Sequence, residues 1–412
     1  MKLSYYHQAL IVAAVGIFFT NVPHYLDSSG LTILSEPKNW VLLFCLFSLP
    51  ILLRRMSAWQ ALKSPMAFWC FGFALLTMLS FFLSQSDMAW QEVRNRFLAI
   101  IGIFAFLMLL WEPGAIRLAR KMLVVGVLIA VAFNIYELFA PMTFSRVLGR
   151  SAGLYGDPNI SGEVLVLGMI LSVSLLAPPY RVPFILLTGV GVFLTLSRGG
   201  ILAWVIAVAG LLFIRELSSK DMVRSAFIAF VLVILVLLPR WDQLLTTWDR
   251  TGVLNMNVLE RLTWLSDPSG TSDRSSWERM YVAKQAWEKI ADHPLVGSGT
   301  GSAYQQSVKY TATHNQYLSL MIDHGLFGAV ILPLFILAAT WGAREKSRAV
   351  AIVFASAVLE LSLFSHSILY RQNALLLFCL MAAMAAMSRN RESQESVIMT
   401  TKGRTTEVLV GA

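Results

Sequence analysis

The chain has 412 residues, with 33 Lys and Arg against 24 Asp and Glu, which gives a net charge of +9. Hydrophobic residues make up 57% of the sequence and charged residues only 14%. Soluble domains have about a quarter of their residues charged, so this composition excludes an ordinary soluble protein and favours several membrane segments. The three cysteines all lie in apolar runs, which argues against a disulfide framework or a cysteine-based metal site.

Repeated apolar runs predict an all-α polytopic membrane protein with about twelve transmembrane helices. In lipid, a helix satisfies its backbone hydrogen bonds internally. The first run follows Lys2 without a small-residue cleavage site, so we expect an uncleaved first span. The expected spans are 5–22, 39–53, 66–83, 97–111, 122–140, 161–177, 182–196, 200–214, 225–239, 315–341, 349–369 and 373–388.

These spans divide the chain into four regions. About nine helices fall in 1–239, a large loop follows at 240–313, about three helices fall in 314–388, and 389–412 is expected to be a disordered tail. Short basic connections alternate with less basic ones, and the positive-inside rule assigns the basic set to the cytoplasm. This orientation puts both termini in the cytoplasm. It also explains the net positive charge without nucleic acid as a partner.

The large loop contains a capping-box pattern, Ser275-x-x-Glu278, which predicts a helix over 276–290. The glycine-rich stretch at 297–301 resembles a phosphate-binding loop at first sight. It lacks the lysine and the following Ser or Thr of such loops, and no strand precedes it. We therefore expect a flexible loop there.

At the end of the large loop, a polar stretch gives way to an apolar run. Thr313 and Gln316 are spaced as a capping box, which would make His314 the first residue of a membrane helix. A helix N-terminus disfavours imidazolium, and neutral imidazole is what a general base requires. By position alone, His314 is better explained as a polar residue at the membrane interface. A catalytic role needs support from other residues of the chain.

Four arginines fall on the same predicted side as this histidine: Arg146, Arg150, Arg198 and Arg274. A single arginine at a helix end often serves only as an interfacial anchor. Four on one face favour an anion site, because guanidinium groups match phosphate oxygens. No pattern of acidic residues, Cys or His is spaced for a metal, so we expect arginines to stabilise any leaving phosphate.

Other polar residues have a structural interpretation beside the functional one. Asp157-Pro158-Asn159 predicts a turn that leads into a helix, with substrate contact as the alternative. Four ionisable residues fall inside apolar runs, where such groups usually face the bundle interior and pair with a partner. They are Glu137, Asp323, His324 and Glu360.

Four patterns together resemble the bacterial O-antigen ligase and O-antigen polymerase superfamily. In chain order they are G-L-Y-G-D-P-N ending at Asn159, L-S-R-G-G around Arg198, R-S-S-W-E at Arg274 followed by D-H-P-L-V-G-S-G, and H-N-x9-G from His314 to Gly325. Each pattern alone is weak. Their order, and the large loop before the histidine, are fairly specific for the superfamily.

The resemblance implies a GT-C-type glycosyltransferase at the periplasmic face of the bacterial inner membrane. Its donor would be a glycan on undecaprenyl pyrophosphate, and the ligase acceptor would be a sugar hydroxyl of lipid A–core. His314 would be the general base, and no metal or other cofactor would be needed for an inverting transfer. Arg198 and Arg274 would hold the pyrophosphate with help from Arg150 and Arg146, while Asp157, Asn159 and Asn315 would support the glycan or the fold.

Alternatives remain within and outside the superfamily. The single long loop before the histidine helix favours a ligase over a polymerase, which extends the lipid-linked glycan. A protein O-glycosyltransferase is expected to have a sizeable C-terminal periplasmic domain, for which residues 389–412 are too short. A transporter of lipid-linked glycans would be expected to spread ionisable residues through the membrane rather than gather them on one side.

Overall fold

The computed structural model describes residues 3–30, 36–37, 39–54, 59–224, 227–228, 241–253, 255–266, 274–305 and 313–389. Within these ranges the regular secondary structure is helical throughout. The predicted tail at 389–412, apart from Arg389, and the predicted span at 225–239, apart from 227–228, lie outside the described residues.

We number the main helices in chain order. They are α1 (Tyr5–Ala14), α2 (Val22–Ser28), α3 (Asn39–Arg54), α4 (Pro65–Phe81), α5 (Ala89–Leu110), α6 (Pro113–Phe139), α7 (Pro158–Ser172), α8 (Pro178–Leu194), α9 (Arg198–Phe213), α10 (Trp241–Arg250), α11 (Met256–Ser266), α12 (Arg274–Asp292), α13 (Gln316–His324), α14 (Gly328–Thr340), α15 (Glu345–Leu361) and α16 (Gln372–Arg389).

Among the described residues, five helical stretches are long and apolar enough to cross a membrane, namely Ala89–Leu110, Pro113–Phe139, Pro158–Leu175, Gln316–Thr340 and Gln372–Arg389. A sixth is possible if Tyr5–Phe19 and Val22–Ser28, which meet at a bend of 48°, form one broken span. The helices α3, α4, α8 and α9 are apolar but shorter. The prediction of an all-helical, multi-pass membrane protein is confirmed at this level.

Helix α7 forms the centre of the bundle. All its residues from Ser161 to Ser172 are buried, and it packs against α6, α8, α9 and α15. Pro158 lies in its first turn, where a missing N–H leaves no hydrogen bond unmade. Because α7 is enclosed by its neighbours, its N-terminal end is held in a fixed place at one end of the bundle.

Helix α5 begins earlier than the predicted span at 97–111. It starts at Ala89, so the expected external segment at 84–96 contains its first two turns. Arg96 lies there and is only 1% exposed. The predicted start of this span was too late, because a charged residue usually marks the end of a membrane span. The charge of Arg96 is instead paired inside the protein, with partners that include distant parts of the chain.

Arg96 and its three partners form a buried polar cluster between α5 and α13. Arg96 Nε donates to Glu92 Oε1 at 3.0 Å, and Arg96 Nη2 forms an ion pair with Asp323. Arg96 Nη1 donates to His324 Nε2 at 2.7 Å, and a guanidinium is only a donor, so this nitrogen of His324 is the acceptor. The expectation that Asp323 would pair inside the bundle is confirmed.

The glycine-rich stretch 297–301 is part of the packed core, so the prediction of a flexible loop was wrong. Its backbone joins two helices: Ser298 N–H donates to Ile322 O at 2.8 Å, and Thr300 N–H donates to Ser80 O at 3.2 Å. Asp323 adds a side-chain contact, accepting from the N–H of Gly301 at 3.1 Å. The sequence pattern argued against a P-loop, but it gave no indication of these contacts with distant parts of the chain.

The span that follows His314 is interrupted at Gly325, which ends α13 with a φ of +61°. A Cβ on this residue would come within 2.5 Å of the Leu295 carbonyl group, so only glycine fits here. A short 3-10 turn, Gly325–Phe327, then leads into α14. The contact is made by the large loop, at Pro294 and Leu295, and serves to fix the end of the helix that begins beside His314.

In the described part of the large loop region the longer helices are α10, α11 and α12, followed by a short helix at Ser302–Gln305. Helix α12 packs against α13 through Ala286 and Ile290, and hydrogen bonds hold the segment with α10 and α11 on the bundle. Trp248 Nε1 donates to Leu138 O at 3.3 Å, and Asn255 Nδ2 donates to Leu148 O at 3.0 Å. Arg261 of α11 donates to Leu196 O at 3.0 Å. These contacts bring the loop helices over the end of the bundle at which α7 and α9 begin.

Candidate active site

His314 lies just before α13 and is not its first residue. The helix begins at Gln316, and the N-cap is Asn315, whose Oδ1 accepts from Leu318 N–H at 3.1 Å. The predicted Thr313–Gln316 capping box was therefore wrong. Asn315 makes the cap that Thr313 was expected to make, while the φ of His314 is +46°, outside the helical range. The imidazole thus leaves the chain from a turn at the helix start.

A second histidine, His366, faces His314. The ring centroids are 5.3 Å apart, and the ring planes meet at 84°. His366 lies after the end of α15, within residues that had been predicted as the span 349–369. The sequence did not identify His366 as a neighbour of His314, because S-H-S within an apolar run is only a weak indication of a loop.

Burial lowers the pKa of His314 from its ordinary value of 6.5, and the positive charge of Arg279 lowers it further. The negative charge of Asp157 opposes this shift. Burial also lowers the pKa of His366 to about 4, helped by His314 and Arg371. Both rings are therefore neutral at neutral pH, the protonation state that a general base needs.

Arg150 is buried at the same end of the bundle, with two polar partners. Its Nε donates to Thr195 O at 2.8 Å, and its Nη2 donates to Asn159 Oδ1 at 2.9 Å. Burial, with the charges of Arg261, Arg279 and Arg198, lowers its pKa to about 9, while Asp157 opposes the shift. The guanidinium still carries its charge at neutral pH, and crowding of positive charge is the environment that an anion would relieve.

Arg198 is the first residue of α9 and lines a small cleft. The cleft is bounded by Asn159, Ser197, Arg198, Gly199, Arg261, Arg279 and Phe364. Ser197 caps α9 by accepting from Gly200 N–H at 3.2 Å, so the positive end of the helix opens into the cleft. Three guanidinium groups and a helix N-terminus suit a phosphate ligand.

The other two predicted arginines have different positions. Arg274 begins α12, and its side chain is outside the described residues. Arg146 is exposed, its N–H donates to Gly156 O at 3.1 Å, and the cleft lining given above does not include it. Arg261 and Arg279 take places in the cleft that the sequence did not assign, because both belong to loop helices whose docking depends on tertiary contacts.

Asp157 and Asn159 start α7 at the edge of the site. Asp157 is the N-cap and accepts from Asn159 N–H at 2.7 Å and from Ile160 N–H at 3.4 Å. The predicted turn into a helix is confirmed. Asn159 also lines the cleft and bonds Arg150, so the G-D-P-N pattern links the start of the central helix to the arginines.

Glu137 organises the segment that carries Arg150. Its carboxylate accepts four backbone N–H groups, from Phe144, Ser145, Ala152 and Gly153, at 2.9, 2.5, 2.6 and 2.8 Å. A buried carboxylate with this many donors is well satisfied without a counter-ion. Glu137 therefore fixes the fold of the loop between α6 and α7, a role that explains a charged residue at the end of an apolar helix.

A metal site was not expected from the sequence. In the part of the chain that the structure describes, no group of three His, Cys, Asp or Glu side chains is placed to hold a metal ion.

The match to a known family bears on this site. Residues 183–332 match the family model described as O-Antigen ligase. This match places that segment in the O-antigen ligase family and confirms the resemblance to its superfamily. The O-antigen ligase segment covers just over a third of the chain and includes Arg198, Arg261, Arg279 and His314. A search of curated proteins found no significant match to the chain.

Proposed function

We propose that the chain is an O-antigen ligase that transfers a glycan from undecaprenyl pyrophosphate to a sugar hydroxyl of lipid A–core. The observation that carries the proposal is the position of a neutral histidine, His314, beside a cleft lined by Arg198, Arg261 and Arg279, within an O-antigen ligase segment. A base and a group of cations are the two elements that this transfer requires.

In the proposed reaction, the acceptor hydroxyl oxygen attacks the anomeric carbon of the donor sugar while His314 takes the hydroxyl proton. The bond between the anomeric carbon and the pyrophosphate oxygen breaks, and its electron pair leaves with the pyrophosphate. Attack from the side opposite the leaving group inverts the anomeric configuration. No metal or nucleotide sugar takes part, because guanidinium groups stabilise the charge that develops on the phosphate.

The residue roles follow from position. Arg198, Arg261 and Arg279, which line the cleft, would contact the pyrophosphate. Arg150, hydrogen-bonded to Asn159 and Thr195, would add positive potential without lining the cleft. Arg274 keeps the pyrophosphate role that the resemblance implies, at the start of the same helix as Arg279. We further propose a GT-C-type fold with about twelve spans, both termini in the cytoplasm of a bacterium, and this site on the periplasmic side of the inner membrane.

The test uses purified protein, an undecaprenyl-pyrophosphate-linked glycan and lipid A–core, in EDTA and without ATP. We expect lipopolysaccharide to form, detected by its mobility on a gel. A requirement for Mg²⁺ or Mn²⁺ would contradict the metal-independent mechanism. Absence of product with an active donor and acceptor would contradict the ligase assignment.

A polymerase of the same superfamily is the alternative, because the family match covers a segment and does not identify the acceptor. Deletion of the gene separates the two. Loss of a ligase should leave lipid-linked polymer that is not attached to lipid A–core. Loss of a polymerase should leave single repeat units on the core.

A further inference from the structure

The segment between α15 and α16, residues 362–371, forms a wall of the candidate site. Ser362 O accepts from Gln316 N–H at 2.9 Å, which joins this segment to the first turn of α13. Phe364 lines the cleft and lies under the Arg279 guanidinium, whose carbon is 5.9 Å from the ring centroid. Two residues further along, His366 packs against His314.

The position of His366 is set by contacts on both sides of it. Before it, the backbone of Ser362 is bonded to α13, as described above. After it, Arg371 forms an ion pair with Glu163 of the central helix α7, and Arg371 Nη2 donates to Ser365 Oγ at 3.3 Å. The backbone that carries His366 is thus anchored to the two helices, α13 and α7, whose N-terminal ends lie at the site.

We propose that His366 is a positioning residue for His314. The ring of His366 packs against the His314 imidazole, holds it in its reactive direction and limits the access of water to it. The inference rests on the proposed function, in which His314 is the base. His314 itself leaves the chain from a turn with a φ of +46°, so the helix alone does not fix its side chain. A neighbouring ring at 5.3 Å supplies that restraint.

Three charged residues and the two neutral histidines make up the electrostatic surroundings of this place. Arg279 of α12, Asp157 at the start of α7, and His366 face His314. His366 in turn faces His314, Arg371 and Asp157. Since His366 has a pKa of about 4, its ring is neutral near neutral pH. It therefore acts through the shape of the ring and not through a charge. A phenyl ring of similar size should therefore replace it.

The test compares His366→Ala with His366→Phe in the transfer assay, with purified full-length protein in EDTA. For His366→Ala we expect kcat to fall at least about tenfold with donor KM little changed, because the base is no longer aligned. The acid limb of the pH profile of kcat for His366→Ala should move to higher pH, since water reaching His314 raises the pKa of that ring towards 6.5. His366→Phe should keep kcat within about threefold, with the wild-type pH profile.

His293→Ala is the matched control, because His293 is exposed and lies beyond the end of α12. It should leave kcat and the pH profile unchanged. If His366→Ala does not fold, His366→Asn replaces it, with the same expected loss. Wild-type kcat and pH profile in the variant without the ring would overturn the inference, and so would a tenfold loss in His366→Phe, which would mean that a ring nitrogen is needed.

His314→Ala, measured in parallel, separates this inference from the proposed function. If His314→Ala still transfers glycan, the assignment of the base fails. If His314→Ala is inactive while His366→Ala behaves as wild type, the base assignment stands and only the positioning role is overturned.

Discussion

Helix α13 has a histidine near each end, and the two lie in opposite environments. His324 is 1% exposed and accepts a hydrogen bond from Arg96, which also forms ion pairs with Glu92 and Asp323. His314 is partly exposed, and four arginines gather at its end of the helix together with the carboxylate of Asp157. These arginines are Arg150, Arg198, Arg261 and Arg279.

The difference shows how to separate a structural polar cluster from a binding site in a membrane protein. In the inner cluster, both carboxylates pair directly with the Arg96 guanidinium, so the cluster holds α5 to α13. At the outer site the arginines repel one another, since the pKa of Arg150, already lowered by burial, is lowered further by the charges of Arg261, Arg279 and Arg198, and an anionic ligand would offset that repulsion. Ionisable residues near lipid can therefore be sorted by the local balance of charge, and not by their presence alone.

The largest effect on stability is expected from Arg96→Met. This change leaves Glu92 and Asp323 buried without their cation, which should destabilise the folded protein by about 3–5 kcal/mol. Arg94→Met is the control on the same helix, since Arg94 pairs with Glu36 where both side chains are 42–45% exposed. The control should change stability by less than about 1 kcal/mol. Unfolding in detergent measures both, and equal effects would show that the inner cluster is not structural.

A smaller effect, on donor binding, is expected at the outer site. Arg198→Ala and Arg279→Ala should each weaken binding of the lipid pyrophosphate about tenfold or more, because a charge-assisted hydrogen bond contributes about 1.5–3 kcal/mol. Neither change should destabilise the protein as Arg96→Met does. The control is Arg250→Ala, an exposed residue at the end of α10. Unchanged donor affinity in both cleft variants would contradict an anion site.

The smallest effect is a change in pH dependence. His314 must be neutral to act as a base, so activity should be lost as the pH falls through a pKa below 6.5. Asp157 raises that pKa, and Asp157→Asn removes the charge while keeping a residue that can cap α7. The pKa of His314 should then fall further, and the acid limb of kcat/KM should move to lower pH. A shift to higher pH would contradict the electrostatic description of the site.

Much of the outer site could be predicted because local patterns determine it. The G-D-P-N and S-R-G-G stretches contain their own helix starts, so Asn159 and Arg198 could be placed at helix N-termini on one face. The bounds of α8 and α9 also follow the predicted pair of short apolar helices closely, at Pro178–Leu194 and Arg198–Phe213.

The remaining features depend on contacts between distant parts of the chain. Asp323 was expected to pair inside the bundle, but its sequence neighbours do not identify Arg96, 227 residues away, as the partner. Arg279 and Arg261 reach the cleft only because the loop helices dock onto the bundle. His366 was assigned to a membrane span because its apolar neighbours outweighed one polar S-H-S step. Side-chain direction and charge balance, which distinguish the two ends of α13, are tertiary properties.

The most direct measurement compares wild type with His314→Ala in a single-turnover transfer assay, alongside binding of the undecaprenyl-pyrophosphate-linked donor. Removing a general base should reduce the transfer rate by about 10²–10⁴-fold, while donor affinity should stay within about threefold because the arginines are intact. A transfer rate close to wild type would contradict the assignment of His314 as the base. Loss of donor binding in step with transfer would place His314 with the arginines in the binding site instead.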